Sequence, residues 1–163
     1  MTIKDIMQID PTRTGKAAGC SVNLLEIYHD IEKVPVPEKY RSMVGGEKMI
    51  NTYYITLKFS VKSVESGKEH IVFIKLPPDF DMSRGNNSKV EVYCDCSDFM
   101  YRSAYGLGKN NALFLTPRIK VSLGQSMTDT PKAGFKTSNL CKHSYAALQW
   151  LMNNYSTVMG KLI

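Results

Sequence analysis

Polar and apolar residues alternate most cleanly between positions 53 and 62. There Ile55, Leu57, Phe59 and Val61 are interleaved with Thr56, Lys58, Ser60 and Lys62, the period-two signature of a strand with one buried and one solvated face. Glu65-Ser66-Gly67-Lys68 reads as a turn. Residues 70–76 return as a second strand, halted by Pro77 and Pro78, and the two form an antiparallel hairpin. The lysines on its outer face are expected to be solvated and to discourage edge pairing. Residues 89–96 alternate again, which puts Val90, Val92, Cys94 and Cys96 on one side of a third strand.

A different period governs the end of the chain. Leu140, Ala147, Leu148, Leu151, Tyr155, Val158, Met159 and Leu162 recur at three- and four-residue spacing, which predicts a long helix with Ser138 or Asn139 as its cap. A shorter helix is expected over 98–105, with Ser97 as N-cap and Asp98 in its first turn. Residues 21–31 fit either a short helix or a strand, ended by Pro35 and Pro37. Residues 112–115 and 119–123, split by Pro117, read as a strand pair or one broken strand, and 124–139 as a long polar loop. The adjacent His29 and Asp30 read as a surface pair.

These elements assemble into an α+β fold: a small, mostly antiparallel sheet of three to five strands with the C-terminal helix packed on it. Residues 1–20 read as an N-terminal arm, either a frayed end or an extension that orders on a neighbouring subunit. Residues 21–163 form a single domain. The chain of 163 residues is long enough for a real core. No apolar run is long enough to span a membrane, and residues 1–5 lack the apolar stretch of a secretion signal. A reducing cytosol is therefore expected, where paired cysteines more often bind metal than form disulfides.

Charge sharpens this picture only a little. The net charge is +6, of which residues 89–163 carry +5 (9 Lys/Arg against 4 Asp/Glu). Lys109, Arg118, Lys120, Lys132, Lys136 and Lys142 are the candidate contacts for an anionic partner such as nucleic acid.

The candidate chemistry lies in two short pairs, Cys94-Asp95-Cys96 and Cys141-Lys142-His143, separated by 44 residues between Cys96 and Cys141. Three thiolates and one imidazole fill a tetrahedral zinc site and leave no position for water, so Cys94, Cys96, Cys141 and His143 are expected to hold a structural Zn2+. Cys141 and His143 do not share a helix face, which puts Cys141 in the cap or first turn. Asp98, Phe99 and Arg102 are the candidates for supporting the ligands, Arg102 through Asp98 or a ligand sulfur and Phe99 as a shelter packed near Trp150 or Leu148. A Cys94–Cys141 disulfide or a chance set of buried thiols is the competing reading. A Cys-His nucleophile has no orienting third group, and the His-x-Glu with Pro-Cys-x-x-Cys of zinc deaminases is absent. Cys20 stands outside this scheme as a small hydrophobe. No phosphate-binding loop, open metal site or purposeful carboxylate pair suggests an enzyme or a small-molecule substrate.

The Cys-x-Cys and Cys-x-His pairs resemble the ligand pattern of the SWIM-type zinc module, whose members bind DNA or protein. Its spacer is usually shorter. The stretches Cys94-Asp95-Cys96-Ser97-Asp98-Phe99-Met100-Tyr101-Arg102 and Leu140-Cys141-Lys142-His143 are more closely similar to small zinc-binding proteins of tailed bacteriophages, in which proline commonly stands at the place of Ser97. The likeness covers residues 89–151. It implies a virion structural or assembly component of the neck, tail or baseplate. Its partners would be other virion proteins, in a homo-oligomeric ring or a hetero-assembly. A nucleic-acid-binding module is the alternative.

Overall fold

The computed structural model describes residues 3–7, 16–36, 49–77, 80, 89–104, 107, 113–114 and 140–160; the side chains of Lys4, Asp5, Tyr101 and Arg102 are outside that description. A short helix α1 (Ile3–Ile6) precedes four strands, β1 (Cys20–Pro35), β2 (Met49–Ser63), β3 (Glu69–Leu76) and β4 (Glu91–Cys94). A π-helical turn (Phe99–Ser103) and a long helix α2 (Lys142–Gly160) follow. The strands form one antiparallel sheet in the order β1-β2-β3-β4, and α2 packs on it, as the alternation and the helical period require. Among the described residues no helix is long and apolar enough to cross a membrane.

Register decides what periodicity left open. Residues 21–31 are strand because β1 pairs with β2 along its whole length, from Cys20 opposite Ser63 to Pro35 opposite Met49. One bulge at Leu25 offsets the two halves. At the β2–β3 turn Gly67 takes φ +66 and its N–H donates to Ser63 O at 2.8 Å, a left-handed conformation that glycine adopts without steric cost.

The inner face of the sheet is formed by Leu57, Phe59 and Val61 of β2, Val72, Ile74 and Leu76 of β3, and Val92 and Cys94 of β4, all buried. Leu148, Leu151 and Val158 of α2 close over it, and Trp150 meets Phe59 edge-on with ring centroids 5.5 Å apart. The helix carries one non-helical residue, Asn154 (φ −118, ψ 15), whose side-chain amide donates to Trp150 O at 2.8 Å. That bond occupies a carbonyl the kink would otherwise leave open.

Three expectations need correcting. The first turn is not a loose end, since Ile3 and Ile6 are fully buried in the core; apolar residues at three-residue spacing form one helical stripe. The outer face of the hairpin is not simply solvated. Thr56 and Ser60 are buried there, Phe73 lies against Tyr93 and Phe114, and Lys75 is held between Glu32 (2.6 Å) and Glu91 (3.6 Å) above the ring of Tyr54. Burial disfavours the charge on Lys75, but these partners outweigh it and hold its pKa above the usual lysine value. Finally, the pairing of β4 with β3 ends at Cys94, and Leu113 makes a parallel bridge to Val92. Residues 119–123, the loop 124–139 with its proposed caps Ser138 and Asn139, and Leu162 lie outside the described residues.

Candidate metal centre

Residues two apart on a regular strand sit about 6.6 Å apart, too far for two sulfurs to share one ion without a bend. The bend comes directly after Cys94. Cys94 is paired with Val72. At the next position Asp95 N still donates to Ile71 O (3.2 Å), but the return bond from Ile71 N runs to the Asp95 carboxylate (Oδ1, 3.1 Å) instead of to a backbone carbonyl. The side chain thus completes the last rung while the backbone turns away and carries Cys96 back toward Cys94.

Both remaining cysteines sit at the starts of helical segments. Cys96 Sγ accepts the N–H of Phe99 at 3.3 Å and its carbonyl accepts that of Met100. Cys141 Sγ accepts the N–H of Ser144 at 3.4 Å and its carbonyl accepts that of Tyr145. Each therefore acts as an N-cap through sulfur. Asp98, at the start of the π-helical turn, makes no side-chain cap bond. The capping assigned to Ser97 is carried out by its neighbour Cys96. A helix N-terminus favours negative charge, and backbone N–H groups on sulfur favour thiolate.

The four donor atoms of Cys94, Cys96, Cys141 and His143 all lie within 4.8 Å of one another, and all four residues are buried. Ligands at tetrahedral zinc distances would be about 3.5–3.8 Å apart, so the set closes on one ion with small movements. The four cysteines of the chain are free thiols, and none forms the competing Cys94–Cys141 disulfide. His143 Nδ1 is 4.0 Å from Cys141 Sγ, and its Nε2 is buried with no hydrogen-bond partner among the described residues. Cys20 is outside the cluster: it is half-buried, its thiol lies 3.5 Å from Lys16 O, and burial pushes its pKa up.

Without an ion the three sulfurs share protons unequally. Burial pushes Cys94 well above the ordinary thiol value. Cys96 is also raised, first by its hydrogen bond to Cys141 and then by burial. Burial opposes charge on Cys141 as well, but hydrogen bonds from Cys94, Cys96, His143 and Ser144 prevail and hold its pKa far below that value. In the metal-free cluster negative charge is therefore favoured on Cys141 and disfavoured on Cys94 and Cys96. Metal binding there is expected to expel about two protons, so that affinity rises about a hundredfold per pH unit. Calorimetry of metal binding in buffers of different ionisation enthalpy checks this.

The supporting residues are placed as follows. Phe99 is fully buried, but its ring meets Tyr93 edge-on (5.7 Å), while Trp150 belongs to Phe59. Asp98 lines a polar cleft of about 420 Å³ beside the cluster, together with Cys96, His143, Lys16, Lys68 and Lys142. The Arg102 side chain lies outside the description, as do Lys109, Arg118, Lys120, Lys132 and Lys136. Lys142 donates to Ser63 Oγ (3.1 Å) and pairs with Glu65 (3.4 Å). His29 and Asp30 are both exposed, and Asp30 accepts the Thr56 hydroxyl at 3.2 Å. Two neighbours of the cluster escaped sequence reasoning. His70 lies against His143 with ring centroids 4.4 Å apart and the rings tilted by 43°, and its Nδ1 is 3.1 Å from Asp95 Oδ1. No family model matches the chain, and no curated protein or solved structure is significantly similar to it.

Proposed function

We propose that this is a non-enzymatic structural protein, closed by a zinc ion on Cys94, Cys96, Cys141 and His143, that works by docking to neighbours in a phage particle. The observation that carries the metal reading is the donor set: three sulfurs and one imidazole, buried and mutually within 4.8 Å. Soft thiolates with an imidazole suit zinc, and four protein ligands leave no open position for a substrate or water.

Docking is supported by the far end of the β1–β2 ribbon. β3 pairs with β2 only as far as Ile55, and beyond it β1 and β2 continue as a pair of strands. On the continuation of the core face Ile31 stands opposite Tyr53, 61% and 63% exposed. A bare two-stranded ribbon is marginal in water, and exposed apolar positions of this size suit a surface that a neighbour covers. Virion proteins are the neighbours that the resemblance of the Cys-x-Cys and Cys-x-His stretches to phage proteins implies. Zinc analysis with native mass measurement tests the reading: one zinc per chain and an oligomer are expected, and the double substitution Ile31→Ser/Tyr53→Ser should return the oligomer to monomer with its zinc intact. A zinc-free monomer would sink it.

The polar cleft favours a second reading, nucleic-acid binding, because Lys16, Lys68 and Lys142 converge there. In that case affinity for a DNA oligomer falls steeply with salt; binding that is absent or indifferent to salt removes it.

A further inference from the structure

We infer that Asp95 and His70, neither of them a ligand, are positioning residues that set how firmly the centre holds its metal; the inference rests on the metal reading above. Asp95 stands between the two ligands of the Cys-x-Cys pair. One oxygen, Oδ1, receives both the Ile71 N–H and the His70 ring nitrogen, each at 3.1 Å. Because a carboxylate only accepts, the His70 hydrogen in that contact is on Nδ1. The first bond replaces a backbone carbonyl at the end of the β3–β4 ladder and holds the bend that returns Cys96 to Cys94. The second fixes the plane of the His70 ring, which lies on the imidazole of His143 at 4.4 Å.

One carboxylate thus connects three parts of the chain: the end of β3, the bend carrying two sulfurs, and, through His70, the ligand at the start of α2. Both His70 and His143 line the polar cleft, where the His70 ring, tilted by 43° to that of His143, is its immediate neighbour. Coulomb attraction between Asp95 and His70 does not explain the arrangement. Their side chains are 42% and 22% exposed, and exposed pairs contribute little to stability. What they supply is geometry. Partners behind metal ligands typically change affinity ten- to a hundredfold.

The experiment is chelator-driven zinc release from the full-length, zinc-loaded protein, followed with a chromogenic chelator. His70→Ala and Asp95→Ala should release zinc about ten- to a hundredfold faster than the unaltered protein. Asp95→Asn keeps an acceptor oxygen for the Ile71 N–H and should fall near the unaltered rate. His70→Phe keeps the ring on His143 but loses the bond to Asp95, and should lie between. Lys68→Ala, which alters the same cleft but not the network, should release normally. A cobalt-substituted sample supplies a second readout: the tetrahedral thiolate bands should shift in Asp95→Ala and be restored in Asp95→Asn. If Asp95→Ala fails to fold, the two His70 variants decide the matter by themselves. Unchanged release from both overturns the inference and leaves the zinc reading standing, whereas an unaltered protein that takes up no zinc overturns that reading instead.

Discussion

Stripping the metal from the purified protein is expected to lower its melting temperature by at least about 10 °C and to detach α2 from the sheet. Two of the four ligands sit at the end of β4 and in the bend after it, and two at the start of α2, with 44 residues between the pairs. An ion held by these four donors would thus be a cross-link across a long loop, and closing such a loop is entropically costly without it. Structural zinc contributes about 10–16 kcal/mol of apparent binding free energy in small domains, as much as the whole stability of an ordinary fold. Even a third of that, about 5 kcal/mol, corresponds to about 10–20 °C for a chain of this size. Trp150 is the only tryptophan in the sequence and packs on Phe59 across the helix–sheet junction, so its fluorescence should report the loss as it occurs. Adding a chelator at neutral pH should shift emission to the red, and re-adding zinc should reverse the shift. Cys94→Ser should behave like the chelated protein. Acid should mimic the chelator, since protons compete with zinc for the sulfurs and release it as pH falls. A melting temperature indifferent to chelator would mean that side-chain packing alone holds α2 in place.

How much of this was legible beforehand depends on the range of each interaction. The alternation at 53–62 and the helical stripe ending at Met159 are local patterns, and both elements are present, though α2 begins only at Lys142, with Cys141 rather than Ser138 or Asn139 as its cap. The four donors were legible because residue type and pairing are chemically specific. Residues 21–31 were not, since an isolated segment with mixed period takes its conformation from its partner, here β2. Asp95 and His70 were hidden for a related reason. They are 25 residues apart, and only the pairing of β3 with β4, one register step beyond Val72 opposite Cys94, brings them together. Nor does any propensity scale anticipate cysteine as a helix cap. Serine and asparagine are the usual choices, yet Cys96 and Cys141 cap through sulfur.

Phe59→Ala should cost about 3–5 kcal/mol, the range for a buried aromatic truncated to alanine, and lower the melting temperature by about 6–20 °C. Phe59 is fully buried, lies opposite Leu24 on one side and Val72 on the other, and supports Trp150 of α2. Truncation therefore opens a cavity where three strands and the helix meet, and a β-sheet backbone held by two neighbouring strands cannot collapse far to fill it. The lesion differs in kind from metal loss. None of the four ligands touches the site of the substitution directly through a hydrogen bond, so at temperatures where the variant is folded it should still carry one zinc per chain and release two protons on binding. Its neighbour Lys58 points to the other face and is only partly buried, and Lys58→Ala should change stability by no more than about 0.5 kcal/mol. Denaturant titration of the two variants side by side measures the contrast. If Phe59→Ala cost less than about 1 kcal/mol, the packing of α2 on the sheet could not be the second support of this fold, and the metal would have to hold the helix without it.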